Sequence, residues 1–298
     1  LSSVIPRIDE TATIFDLTAV HKFPVLFARA CGIELDPWQR QVIRSTEKRI
    51  MILAARQSGK SMVCALYALW HALNHPGAVV LVLSPSLRQS SLLFKTIVGF
   101  YRDRLNRPIP ADIESALTLQ LSNKSTIVAL PGLERTIRGF SGVSCIIFDE
   151  SAMIDDDTYR AVRPMAAVSD AKVFAIGTPH GKRGWFWDSY EHSDEFVKVR
   201  ITADQVPRIS KEFLASELKA MGHWWYDQEY NCVFTENEAS IFRMDLIEAS
   251  IQDFPELDLN LDLEDYEPVE QPKPIKGIKK TETEGVNELG LDWFAKGG

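Results

Sequence analysis

The chain alternates short, uninterrupted apolar runs with longer stretches whose apolar positions recur every three or four residues. Ile50–Ala54 (IMILA), Ala78–Leu83 (AVVLVL), Val143–Phe148 (VSCIIF) and Val173–Ile176 are runs of the first kind. They are too short for stable helices and are bounded by turn residues such as Ser84–Pro85 and Gly177, so each predicts a buried strand. Ser61–Leu73 (SMVCALYALWHAL), Leu87–Tyr101 and Thr158–Val168 have helical spacing; the first stops before His75–Pro76–Gly77. Leu117–Leu121 and Thr126–Leu130 flank Ser122–Asn123–Lys124–Ser125, which predicts a hairpin. Strands apolar on both faces, alternating with helices, predict an α/β fold with a mostly parallel central sheet. Residues 205–250 read as mainly helical, a small appended subdomain.

Composition adds domain boundaries. The 298 residues are 45% apolar and 25% charged, enough for one large domain or two smaller ones. The net charge is −8, which does not suit a general nucleic-acid coat. That charge is localised. Residues 251–270 hold eight carboxylates and no Lys or Arg, whereas residues 1–250 sum to −1 and residues 271–298 to +1. Proline and glycine follow the acidic stretch, so residues 251–287 read as an acidic linker after the main body. No run of 18 apolar residues predicts a membrane span, and no basic-then-apolar start predicts a secretory signal. The chain begins at Leu1 rather than Met, which leaves room for residues ahead of it. Cys31, Cys64, Cys145 and Cys232 lack zinc spacing; Cys64 and Cys145 read as small core residues, in keeping with a reducing cytosol.

The sharpest chemical signal is Ala54–Ala55–Arg56–Gln57–Ser58–Gly59–Lys60–Ser61, between a predicted strand and a predicted helix. A phosphate-binding loop needs backbone N–H groups aimed at an anion, a lysine for the outer phosphates and a hydroxyl for Mg2+. Gly59, Lys60 and Ser61 supply these. The usual leading glycine is Ala54 here, and a bare G-K-S is common, so further support is needed. It comes from Cys145–Ile146–Ile147–Phe148–Asp149–Glu150, a buried strand that delivers two carboxylates 89 residues after Lys60. Asp149 is placed to hold Mg2+, and Glu150 to orient and deprotonate a water. The gap leaves room for an extra strand between the two motifs. The N-K-x-D of GTPases is absent, since Asn123–Lys124 precede Ser125–Thr126.

These stretches resemble the large terminase subunit of tailed bacteriophages, in its N-terminal DNA-packaging ATPase. Arg56–Gln57–Ser58–Gly59–Lys60–Ser61 resembles that family's R-Q-x-G-K-[ST], which lacks the leading glycine. Trp38–Gln39 resembles its aromatic-Gln element, and Arg138–Gly139 its R-G pair. Asp149–Glu150–Ser151–Ala152–Met153–Ile154 is similar to D-E-x-A-x-I, and Thr178–Pro179–His180–Gly181 to T-P-x-G. Gln228–Glu229–Tyr230 with Phe234 is similar to the Q-E-[YH]-x-x-x-F of the lid. The matches run in family order over residues 35–250. Leu289–Gly290–Leu291–Asp292 resembles the first strand of the RNase H-like nuclease that follows in the family.

The resemblance implies a P-loop NTPase of the ASCE type, three α/β/α layers with a small helical lid. It implies an N-terminal segment (1–34), an ATPase core (35–204), a lid (205–250), the linker (251–287) and a truncated nuclease start (288–298) without nuclease activity. The implied cofactors are ATP and Mg2+. Trp38 and Gln39 would meet adenine; Arg56, Gln57, Ser58, Gly59, Lys60 and Ser61 would hold the phosphates; Ser61 and Asp149 would hold the metal. Glu150 would be the base, Arg56 would act in cis, and Arg138 would reach a neighbouring subunit. Thr178 would sense the γ-phosphate, or else cap a helix. Asp155–Asp156–Asp157 reads as a helix start rather than a metal cluster, and Trp185, Phe186, Trp187, Trp224 and Trp225 as packing residues. The implied function is translocation of double-stranded DNA into a procapsid in the host cytoplasm. Its partners would be the portal protein, the small terminase subunit and further copies in a ring, with no membrane. DNA-contact candidates are Arg102, Arg104 and Arg107, or Lys182 and Arg183. A helicase-like DNA translocase or repair ATPase is the alternative.

Overall fold

The predicted runs form the middle of one eight-stranded sheet in the computed structural model, which describes residues 22–132, 137 and 139–236. The strands are β1 (Arg49–Ala54), β2 (Val79–Ser84), β3 (Ala111–Glu114), β4 (Thr118–Leu121), β5 (Thr126–Pro131), β6 (Val143–Phe148), β7 (Lys172–Gly177) and β8 (Val197–Ile201). Their order is β3-β4-β5-β2-β6-β7-β1-β8. Only β3–β4 and β4–β5 pair antiparallel, the latter being the predicted hairpin; the remaining pairs are parallel. The helices are α1 (Pro24–Ala30), α2 (Pro37–Arg44), α3 (Lys60–Asn74), α4 (Leu87–Gly99), α5 (Asp156–Ser169), α6 (Gly184–His192) and α7 (Lys211–Glu229). A π-helical turn, Phe100–Arg104, extends α4 past the predicted end at Tyr101.

The layers follow from strand alternation. Ile50, Ile52 and Ala54 of β1 pack on one side of the sheet with Val63, Leu66 and Tyr67 of α3. Met51 and Leu53 pack on the other with Phe148 of β6, Tyr159 and Val162 of α5, and Trp185 of α6. Successive side chains on a strand point to opposite faces, so each inner strand feeds two cores and the molecule has three layers, α/β/α. Apart from Arg49, Ser84, Ser144 and Lys172, β1, β2, β6 and β7 are apolar, because helices cover them on both sides.

Two strands were not foreseen. β8 (VKVRI) and β3 (ADIE) lie at the sheet edges, are largely exposed and carry charges there. Helix α6 (GWFWDSYEH) was also not foreseen; its Trp185 and Phe186 are buried as expected. Trp225 corrects the packing expectation, being 43% exposed. The acidic run behaves as a helix start: Asp155 caps α5 by accepting from Thr158 N (2.6 Å), and Asp156 accepts from Trp185 N (2.8 Å). All four cysteines are free and buried, and burial pushes the Cys145 thiol up to about 12. Among the described residues no helix is long and apolar enough to cross a membrane. The linker, the 288–298 segment with Asp292, and Arg138 lie outside the described residues.

One buried group gives the fold a pH dependence. His71 of α3 bonds Ser144 Oγ through Nε2 (2.9 Å) and stacks on His75. Burial first, then the His75, Lys172 and Lys48 charges, lower its pKa to about 4 from 6.5. The unfolded chain therefore takes up a proton near pH 6.5 that the folded chain refuses until near pH 4. Stability is full above that window and falls as pH drops through it. Going from pH 7 to pH 5 should cost about 2 kcal/mol through this residue. Urea melts of His71→Gln should show a loss smaller by that amount; an identical loss would dismiss His71 as the cause.

Candidate active site

The phosphate loop is built by what lies around it. β1 ends at Ala54, and α3 begins at Lys60. Between them, Ala55 N donates to the Ile201 carbonyl of β8 (2.9 Å), and Arg56 N to the Glu229 carbonyl at the end of α7 (3.2 Å). Gln57 (φ 57°) and Gly59 (φ 87°) take left-handed conformations that close the turn. Glycine suits position 59, because the φ of 87° strains other residues and a Cβ there would lie 2.7 Å from Gln39 Nε2 and push that amide away. The positive end of the α3 dipole and its unpaired first-turn N–H groups then face the loop interior, as an anion requires.

Gln39 is wholly buried behind this loop. Its Nε2 donates to the Ser58 carbonyl (3.2 Å), and its Oε1 accepts from Asp36 N (2.9 Å). The expected adenine residue thus also holds the loop. Trp38 is 7% exposed and belongs to the core, and its indole N–H has no partner among the described residues.

Lys60, Ser61, Asp149, Glu150 and Thr178 converge at the C-terminal ends of β1, β7 and β6, the edge where open α/β sheets bind ligands. Lys60 Nζ lies 3.2 Å from Thr178 Oγ1 and 3.5 Å from Glu150 Oε1. Thr178 Oγ1 in turn donates to the Ala54 carbonyl (3.4 Å). Thr178 therefore bridges the lysine and the strand, and caps no helix: α6 starts only at Gly184. Ser61 Oγ donates to Asp149 Oδ1 (3.0 Å). Burial raises the Asp149 pKa to about 6, the Glu150 charge pushes the same way, and the Ser61 hydrogen bond and Lys60 oppose the rise. Glu150 follows β6 in a left-handed conformation (φ 51°, ψ 49°), costly for a residue with a Cβ. That bend leaves its carboxylate about one-third exposed, beside the lysine.

Arg56 is exposed, and its Nε forms an ion pair with Glu229 Oε2 (3.0 Å). Arg138 falls outside the described residues; its neighbour Ile137 is fully buried, and Gly139 has φ 129°. Sequence reasoning missed Arg208, which bonds both Asp36 and the Ser58 carbonyl. No local signal marks a pairing across 172 positions.

The site suits a small hard cation. The Ser61 hydroxyl and Asp149 carboxylate are adjacent oxygen donors, the ligand type such an ion takes. Among the described residues no group of three or more His, Cys, Asp or Glu could hold a metal.

Residues 51–249 match the family described as the terminase large subunit, T4likevirus-type, N-terminal. The large terminase subunit of Thermus virus P23-45 is 28% identical over 171 residues, a match covering 51% of this chain and 35% of that protein. The chain thus spans about a third of the length of that relative. The large terminase ATPase domain of Thermus phage P74-26 shares the fold, with a TM-score of 0.63 and 19% identity over 70% of this chain and 97% of that one. The large terminase of a thermophilic bacteriophage, in complex with ADP, has a TM-score of 0.56 and 16% identity over 67% of this chain and 54% of that one. A helicase-like alternative gains no support from these matches. With the family match spanning most of the chain, and the lysine, hydroxyl and paired carboxylates gathered just past the C-terminal ends of neighbouring parallel strands, this chain belongs to the large terminase subunits, in their T4likevirus-type N-terminal region.

Proposed function

We propose that this chain is the Mg2+-dependent ATPase motor of a phage terminase, driving double-stranded DNA into a procapsid. The observation that carries the reading is the position of the Lys60 ammonium, held between Thr178 and Glu150 with the Ser61–Asp149 pair alongside. Lys60 binds the β- and γ-phosphates with the N–H groups of the loop, and Trp38 and Gln39 flank the adenine end. Ser61 and Asp149 hold Mg2+, which neutralises phosphate charge when bound. Glu150 orients the attacking water and accepts its proton. Arg56 acts on the γ-phosphate within the subunit, and Arg138 on the site of the next subunit in a ring.

α7 gives the motor its coupling element. Its C-terminal residue Glu229 touches Arg56 through both backbone and side chain, so a shift in the phosphate loop is felt at the helix. Assembly is on the portal protein, with the small terminase subunit as a further partner, in the host cytoplasm. Of the DNA-contact candidates, exposed Arg102 pairs with Glu114 and Lys182 with Glu236. Phosphate contact therefore has to displace those carboxylates, while Arg104 and Arg107 are also exposed.

The test mixes full-length Arg138→Ala and Glu150→Gln proteins in the presence of DNA, procapsids and Mg2+. Each alone should be inactive, and mixtures should recover ATP hydrolysis that EDTA abolishes. No recovery at any ratio would remove the trans role of Arg138. Undiminished wild-type turnover in EDTA would remove the metal assignment.

A further inference from the structure

Arg208 lies outside every element that builds the nucleotide site, in the segment between β8 and α7, yet its guanidinium reaches the phosphate loop. Nη2 donates to the Ser58 carbonyl (3.0 Å). Nη1 sits 2.9 Å from both carboxylate oxygens of Asp36, the residue before α2. The same Ser58 carbonyl accepts from Gln39 Nε2 (3.2 Å). Two donors from distant parts of the chain therefore converge on one loop carbonyl.

The peptide bond gives this convergence its meaning. The Ser58 carbonyl and the Gly59 N–H belong to one planar trans unit and point in opposite directions. Fixing the oxygen outward, towards Gln39 and Arg208, aims the N–H inward, towards the bound phosphates. Gly59 has no Cβ to resist a flip of that peptide (φ 87°), so the orientation must be imposed by hydrogen bonds. A flipped peptide would present an oxygen to the anion instead of a donor. Gln39 alone supplies a neutral bond. Arg208 adds a charge-assisted one and is itself held in plane by Asp36.

We infer that Arg208 is a positioning residue for the phosphate loop: through the Ser58 carbonyl, oriented by Asp36, it sets the polarity of the Gly59 peptide and hence affinity for the phosphates of the nucleotide. This rests on the ATPase reading of the site. Because Arg208 precedes α7 by three residues, the N-terminal root of the helix is tied to Ser58 while its far end is tied to Arg56. α7 bends at Gly222 (φ 76°, ψ 168°), so the loop is held by the root of its first helical stretch and the end of its second.

Steady-state ATP hydrolysis by the full-length protein tests the inference. Arg208→Ala should raise the KM for ATP about tenfold, the factor one charge-assisted hydrogen bond carries, and leave kcat within about twofold. ADP binding should weaken by the same factor. Arg208→Lys, with one donor head for two acceptors, should recover only part of the loss. Asp36→Asn should raise KM several-fold (about threefold to fivefold), and the double variant should be no worse than Arg208→Ala alone, because both act on one bond. Additive losses, an unchanged KM, or a fall in kcat at constant KM would overturn the inference. So would a KM rise matched by a lowered melting temperature that Arg208→Lys fails to mend, since that marks general destabilisation. If Lys60→Ala leaves turnover intact, the reading of the site fails instead, separately from any result at Arg208.

Discussion

Lys60→Ala should abolish ATP turnover, lowering kcat/KM by a factor on the order of 10³ or more. Three losses coincide. The ammonium that would meet the outer phosphates is gone. Thr178 Oγ1 loses its partner at 3.2 Å, inside a site where little water reaches. Glu150 loses the cation that lies 3.5 Å from its carboxylate, and the charge that opposes the rise of the Asp149 pKa goes with it. The fold should survive, because Lys60 starts α3, where alanine is well tolerated. Phosphate release and a thermal melt together check this. Turnover within tenfold of wild type would sink the assignment of the loop.

Glu150→Gln should separate chemistry from binding. The amide keeps the size and the left-handed backbone of the glutamate but cannot take a proton. The kcat should fall by about 10² to 10⁴. ATP binding should hold or tighten, for an electrostatic reason: Glu150 lies beside Lys60, so neutralising it removes a negative charge near the bound phosphates. Single-turnover hydrolysis beside equilibrium ATP titration reads both quantities. A weakened affinity with an unchanged kcat would show that Glu150 holds nucleotide instead of activating water.

Both outcomes rest on residues legible in the amino-acid order, and the reason is local. β1, β2, β6 and β7 are buried on both faces, so all but Arg49, Ser84, Ser144 and Lys172 are apolar and the runs stood out. The loop and the acidic pair follow such strands directly. β3 and β8 were illegible because an edge strand need bury little: VKVRI has one fully buried residue. α6 was missed because it is rich in aromatics and starts with glycine, against helix propensity. The grip on the loop was illegible for a different reason. Gln39 was singled out for its likeness to an adenine-binding element, yet its buried amide also faces Ser58. Arg208 meets Asp36 across most of the domain. Such contacts are products of the fold and have no period or spacing to betray them.

The place of β7 has a further consequence. It lies between β1 and β6, so Val173 is flanked by Arg49 on one side and Ile146 on the other. Strands in a sheet sit about 4.8 Å apart, which sets the loop strand and the acid strand about 10 Å from one another. That separation is a count of strands, not the sum of side-chain contacts, and it cannot drift by small amounts. Exchanging a buried residue alters packing but leaves the ruler intact. Removing or adding one residue within β7 would move Thr178 by a whole step of about 3.3 Å and turn its hydroxyl to the opposite face. The site is therefore tolerant of substitution and brittle to changes in length, and sequence variation in this strand should be confined to residue identity.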